Sequence, residues 1–199
     1  FLNSGKFIGK EEKYFILPPI KHKQNRIHIK YTHQHNAKKI PMNLWLEFLG
    51  YYLSEGGIQR KSAIGIVQKD KEKVKKIRTC LSKLSKCIGF TLTESMDKEY
   101  TRFQITNTQI FEFLEKNCGK NCIEKRYQLD LSNLSKKQLK ILYDALMLGD
   151  GSFDGKSFSS TSIDLINLFQ SVAFLVGKST NKNIQYLEKY RGNRVTLYR

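Results

Sequence analysis

Phe48-Leu49-Gly50-Tyr51-Tyr52-Leu53-Ser54-Glu55-Gly56 and Tyr143-Asp144-Ala145-Leu146-Met147-Leu148-Gly149-Asp150-Gly151 are two stretches of one design. Each closes a helix-like apolar run on an acid followed by glycine. Each carries a small residue at its third place, Gly50 or Ala145, and another at its seventh, Ser54 or Gly149. Small residues four apart form a smooth stripe on a helix, which lets two helices approach backbone to backbone. With the stripes face to face, Glu55 and Asp150 share one end of a common core. Two carboxylates at two helix C-termini are unfavourable alone, because the macrodipole already places negative charge there. A divalent cation relieves that conflict: magnesium takes hard oxygens from one or two carboxylates, water and phosphate. Two such ions beside a phosphodiester can activate a water and steady the leaving oxygen. The spacing therefore points to Glu55 and Asp150 as Mg2+ (or Mn2+) ligands suited to phosphodiester hydrolysis.

Working outward, Asn43 is expected to cap the first helix and Gly56 to give it a left-handed C-terminal turn. Strands are expected at 58–61 and 63–69. Val74, Ile77, Leu81, Leu84 and Ile88 recur at helical spacing over Lys71–Ile88, with Gly89 closing the helix. A hairpin at 90–94 and 99–106 follows, then a short helix that Asn107 caps and Gly119 stops. Ser135 and Gln138 form a capping box ahead of the second acidic helix. After it come strand-like segments at 152–160, a helix over Ile163–Val176 with Gly177 behind it, and a hairpin at 184–190 and 194–198. Helix, strands, helix, strands thus occurs twice, an internal repeat.

Composition narrows the partner. In 199 residues, 35 Lys and Arg stand against 18 Asp and Glu, a net charge of +17. That excess calls for a polyanion, since alone it only repels itself. Hydrophobic residues at 40% support a packed core. No apolar run is long enough to span a bilayer and no leader pattern is visible, so a soluble intracellular protein is expected. Cys80, Cys87, Cys118 and Cys122 read as reduced thiols. The Cys118-to-Cys122 loop spacing could hold a metal but lacks clean CxxC pairs. His22, His28, His33 and His35 lie in a basic stretch without the spacing of a histidine-based nuclease finger, so a solvated basic tail is the reading there.

At the two acidic nonapeptides the chain resembles the LAGLIDADG (dodecapeptide, DOD-type) homing endonucleases, as a two-repeat single chain similar to intein-borne endonuclease domains. The resemblance covers about residues 43–199. It implies an α+β fold of two pseudo-symmetric αββαββα repeats, with a central pair of motif helices and a DNA-binding β-saddle. Residues 1–42 would be an N-terminal basic segment or linker, 43–134 the first repeat and 135–199 the second, incomplete one. It implies a Mg-dependent, site-specific endonuclease of double-stranded DNA, acting as a monomer with an internal pseudo-two-fold, in an intein or intron context. Glu55 and Asp150 would be the catalytic acids. Lys125, 25 residues before Asp150 in Lys125-Arg126-Tyr127-Gln128, resembles the family's active-site lysine, which would stabilise transition-state charge or tune the attacking water. Outward strand positions Gln59, Arg60, Lys61, Gln68, Lys69, Arg102 and Gln104, with Lys156, would touch bases or phosphates. Lysines crowding the Lys71–Ile88 helix would add salt-sensitive phosphate attraction.

The chain departs from the family pattern in places. Glu55 replaces the usual aspartate, and Gln128 the frequent proline. A second lysine at the matching interval after Asp150 would fall beyond Arg199, so a shortened second repeat, or a fragment, is expected. Phe1 offers no splicing nucleophile, and no terminal His-Asn pair is present, so self-splicing is not expected. The rival reading is a catalytically impaired relative acting as a DNA-binding module or an RNA-intron maturase. Such proteins often lose one acid, and both are retained here.

Overall fold

Trp45, Leu46, Phe48, Leu49, Tyr52 and Leu53 are apolar on every side of one helix, and that helix, α1 (Met42–Glu55), runs through the middle of the core. The computed structural model describes residues 7, 9–26, 29–59, 63–190 and 193–199. Before α1 lie four strands: β1 (Tyr14–Leu17), β2 (Ile20–Arg26), β3 (Ile29–His35) and β4 (Lys38–Pro41). β1 pairs antiparallel with β4, and β2 with β3. The segment expected as a basic linker is thus a pair of ribbons. Its inner end is built into the core: Leu17 and Ile40 are fully buried, and Phe15 stacks on Trp45 at 3.9 Å between ring centres. That stacking is the anchor its basic composition hid.

After α1 the chain runs β5 (Gly56–Ile58), β6 (Ala63–Gln68), α2 (Lys71–Ile88), β7 (Thr91–Asp97), β8 (Tyr100–Thr106) and α3 (Thr108–Cys118). The four strands form one antiparallel sheet in the order β5-β6-β8-β7. Ile64, Ile66, Phe103 and Ile105 alternate along β6 and β8 and bury one sheet face under the helices. Asp70 and Asn107 cap α2 and α3 with their side chains. Next come α4 (Lys136–Asp150), α5 (Ile163–Val176), β9 (Ile184–Tyr190) and β10 (Asn193–Tyr198). Ser135 and Gln138 form the expected capping box on α4. The architecture is α+β with antiparallel sheets, as expected. Among the described residues no helix is long and apolar enough to cross a membrane.

Several local expectations change. Asn43 does not cap α1; Pro41 holds that place without a side-chain bond, and the Met42 amide donates to Lys13 O at 3.0 Å. Gly56 is extended, with φ of −92°, rather than left-handed, and Gly151 is extended likewise, with φ of −75°. Each leads the chain straight from a helix into β pairing, Gly56 with Ile66 and Gly151 with Phe158. Glycine is needed there for space: a Cβ on Gly56 would press on the Tyr52 carbonyl, and one on Gly151 on that of Met147. The strand expected at 58–61 starts earlier, at Gly56. The strands expected at 152–160 shrink to two bridges, Gly151 with Phe158 and Ser160 with Tyr198. Between them Asp154 accepts hydrogen bonds from the Ser152 hydroxyl and the Lys156 amide, local turn bonds that compete with strand extension.

α1 and α4 pack like against like. A Cβ added to Gly50 would clash with that of Ala145, and one added to Gly149 would clash with the Ser54 side chain. The third place of one motif therefore meets the third of the other, and the seventh meets the seventh. Gly50→Ala is expected to destabilise the protein by about 1–3 kcal/mol through this overpacking. Adding Ala145→Gly should recover most of the loss in a thermal melt. Two independent, additive losses would show that the helices do not meet there.

Candidate active site: the paired acidic helix ends

Because the stripes are in register, the last turns of α1 and α4 finish side by side. A Cβ on Gly149 would lie 3.0 Å from Glu55 Cγ. Asp150 is half-buried; burial first, and the nearby Glu55 carboxylate second, push its pKa up to about 7. Glu55 is also raised, mainly by burial, with Lys73 and a hydrogen bond from Gln68 opposing. The two acids therefore share one field, as the spacing of the motifs predicts. Beside Asp150 opens a cavity of about 290 Å³, lined by Ser54, Lys125, Cys122, Ser159, Ser160 and Leu197 among others.

Lys125 reaches this cavity from the segment after α3. It is 2% exposed, donates from Nζ to Tyr52 O at 2.9 Å, and lies 3.6 Å from the Tyr52 ring centre. Burial brings its pKa down to about 8, partly offset by nearby acids including Asp150. Its own backbone is pinned, since the Ser162 hydroxyl donates to Lys125 O. With so little solvent, a helix-end carbonyl as partner and Asp150 nearby, Lys125 is set apart from the solvated surface lysines.

Gln68 and Lys73 take positions that sequence reasoning missed. Gln68 was expected on the outward, DNA-reading set, but it is 7% exposed and turned inward. Its Nε2 donates to Glu55 Oε1 at 2.7 Å, while its Oε1 accepts from the amides of Lys69 and Asp70. Counting alternation from Ile64 and Ile66 would have found it, because position 68 shares their face. Lys73, on the first turn of α2, draws both acids toward their charged forms. Gln68→Leu is expected to slow DNA cleavage about 10–100-fold, as loss of an orienting partner does, while DNA affinity measured by anisotropy stays within about threefold. A matching loss of affinity would return Gln68 to the DNA-reading set.

The remaining candidates divide by face. Arg102 and Gln104 alternate with buried Phe103 and Ile105, so they stand on the outer face of the sheet. Gln59 lies across Gly65 on that face. Thr93 and Ser95, paired opposite Gln104 and Arg102, share it and were not anticipated. Lys69 and Lys156 are exposed, the latter 4.0 Å from Asp154. Arg60 and Lys61 lie outside the described residues. Cys80 and Cys118 are buried, Cys87 and Cys122 exposed, all as free thiols. No cluster of three or more His, Cys, Asp or Glu suited to a metal occurs among the described residues.

No protein-family model matches the chain, and no curated protein does. Solved structures do. A variant of I-DmoI in complex with its target DNA and Mn matches at a TM-score of 0.51 and 9% identity, covering 79% of this chain and 86% of the other. Mesophilic variants of the homing endonuclease I-DmoI match at 0.50 and 10% identity, covering 79% and 87%. The chain adopts the LAGLIDADG fold. A weaker likeness, at a TM-score of 0.48, 12% identity and coverage of 79% and 75%, is to the N-terminal LAGLIDADG domain of DUF199/WhiA. In this fold α1 and α4 pack side by side, and Glu55 and Asp150 are the last residues of those helices, just before Gly56 and Gly151 enter β pairing.

Proposed function

We propose that the protein is a homing endonuclease that hydrolyses phosphodiester bonds of double-stranded DNA at a long specific site, with Mg2+ or Mn2+ held by Glu55 and Asp150. The observation that carries this reading is that Glu55 and Asp150 end two adjoining helices, close enough for one charge to raise the other's pKa, with Lys125 beside Asp150. The residues suit the ion. Their donor set is hard oxygen, and burial pushes both acids toward protonation, with the Glu55 charge adding to it at Asp150. When bound, such an ion acidifies water and neutralises charge on the phosphate. Gln68 keeps one Glu55 oxygen oriented, and Lys125 brings a desolvated positive charge to the phosphate that reacts. Gln59, Arg102 and Gln104, with Arg60 and Lys61, would read base edges, and Lys69 and Lys156 would hold phosphates. The net charge of +17 supplies the attraction. The similar I-DmoI structures contain target DNA with Mn or Ca, which fits this use.

The chain would act as a monomer whose two repeats, 43–134 and 135–199, each face one half of the target, with residues 1–42 as an added segment and an intein or intron as host. The test is an unbiased selection for cleaved sites from a randomised duplex library, run with Mg2+, with Mn2+ and with EDTA. One enriched site longer than about 12 base pairs, cut only with metal, is the expected result. Binding of a site without any cutting in either metal would leave a DNA-binding module in place of the nuclease.

A further inference from the structure

α2 and α5 both stop at a left-handed glycine, Gly89 and Gly177, with φ of 68° and 91°. Counted back from those glycines, buried Val74, Ile77, Leu81, Leu84 and Ile88 of α2 fall on buried Ser162, Leu165, Phe169, Val172 and Val176 of α5. Combined with the like-to-like packing of α1 on α4, this makes two equivalent grooves: α5 with α1, and α2 with α4.

The first groove is filled by the chain itself. Residues 125–131 run between its helices. Lys125 bonds to Tyr52 O of α1 and its carbonyl accepts from Ser162 at the start of α5, and the residues beyond it face Asp164, Asn167 and Ser171 of α5 across a cavity of about 650 Å³. On the α1 side Leu46, Leu49 and Leu53 are fully buried. At the equivalent α4 places, Ile141 and Leu148 are only half-buried and Asp144 is exposed. There the second groove stands open, about 810 Å³, with Leu44, Ile141 and Leu148 in its floor and Lys76, Lys83 and Lys86 along its α2 wall.

Charge follows the same correspondence. The strap in the first groove begins Lys125-Arg126 and lies along a wall carrying Asp164, with Ser171 beyond it. Lys76 and Lys83 hold those two places in the open groove. We propose that the groove between α2 and α4 docks an extended peptide segment of a partner protein, in which apolar side chains alternate with carboxylates. It would lie there as residues 125–131 lie in the first groove, with the charges exchanged. On the opposite wall Lys140 pairs with Asp144 at 2.6 Å, which leaves Glu47, whose carboxylate accepts from the Tyr51 hydroxyl, as one negative charge against the three lysines.

The probe is a fluorescein-labelled heptapeptide, Asp-Glu-Tyr-Gln-Leu-Asp-Leu, which copies residues 125–131 with the two basic residues made acidic. Saturable binding with a Kd of about 10–100 µM is expected, in the range of a small interface. Cys87 lines this groove and Cys122 lines the cavity beside Asp150, and both are exposed. Saturating peptide should therefore slow alkylation of Cys87 by N-ethylmaleimide about fivefold or more and leave Cys122 unchanged, as occlusion of one face requires. The double variant Lys83→Glu, Lys86→Glu should weaken binding about tenfold or more without lowering Tm. No saturation up to about 1 mM peptide would overturn the proposal, as would protection of Cys122 in place of Cys87 or affinity unchanged in the double variant. Protection of Cys87 by a DNA duplex that also displaces the peptide would assign this face to nucleic acid instead.

Discussion

Glu55→Gln and Asp150→Asn are each expected to slow DNA cleavage by about a thousandfold or more, while affinity for the same DNA changes by less than about threefold. The large loss follows from the geometry. The two acids end adjoining helices, close enough for the Glu55 charge to raise the Asp150 pKa, and each is the one acid in the last turn of its helix. The small effect on binding follows because the acids carry negative charge and contribute nothing to attracting phosphates. Asp150→Asn carries a second, independent readout. In the protein without divalent ions, burial and the Glu55 charge oppose ionisation of Asp150. Its folded pKa lies above its unfolded one, so the native state binds the extra proton and stability falls as pH rises from about 4 to 7. Removing the ionisable group should raise Tm above pH 7 by about 5 °C, and the gain should vanish below pH 4. Mg2+ should raise Tm of the parent protein and shift the variant much less. Normal cutting by either variant would remove these residues from the reaction, and an unchanged melt would show that the two charges do not meet.

Much of this arrangement was legible before any coordinates because it rests on local chemistry. α2 and α5 have the ends expected from their apolar spacing, since Asp70 and Ser162 cap them and Gly89 and Gly177 close them. The small-residue stripes were readable because steric fit leaves few residue types at Gly50, Ser54, Ala145 and Gly149. Properties set by distant partners were not readable. Nothing local to Phe15 marks it for the core, and its ring against Trp45 anchors the N-terminal ribbon there. Gln68 is indistinguishable in type from a base-reading glutamine; its role is fixed by Glu55, thirteen residues earlier in the chain. The segments after Gly151 alternate like strands, yet Asp154 ties them into a turn. Gly56 was read as a left-handed cap, but what demands glycine there, and at Gly151, is the nearness of a carbonyl one turn back.

Lys125→Met is expected to cut the cleavage rate about 100–1000-fold, the loss typical of removing one charge-stabilising donor from a desolvated site. DNA affinity should change less than about threefold, because a side chain only 2% exposed cannot share in the surface attraction. Methionine keeps the stem that packs beside the Tyr52 ring, so loss of activity through a collapsed cavity is separable from loss of the ammonium. Stability makes the separation sharp. Burial holds the lysine near pKa 8, below its ordinary value of 10.5. The folded state therefore disfavours the charged form, a penalty fully present below pH 8 that fades as pH climbs toward 10.5. Without divalent ions, the methionine variant should be more stable than the parent by about 2 kcal/mol at pH 7 and level with it near pH 10.5. Lys125→Arg should not restore cutting, since a planar five-donor group does not fit where one ammonium meets a single carbonyl. A variant that melts higher and cuts slowly is what a catalytic lysine held at the expense of stability requires. One that melts lower and cuts slowly would mean the lysine props up the fold, with Tyr52 O as its whole purpose.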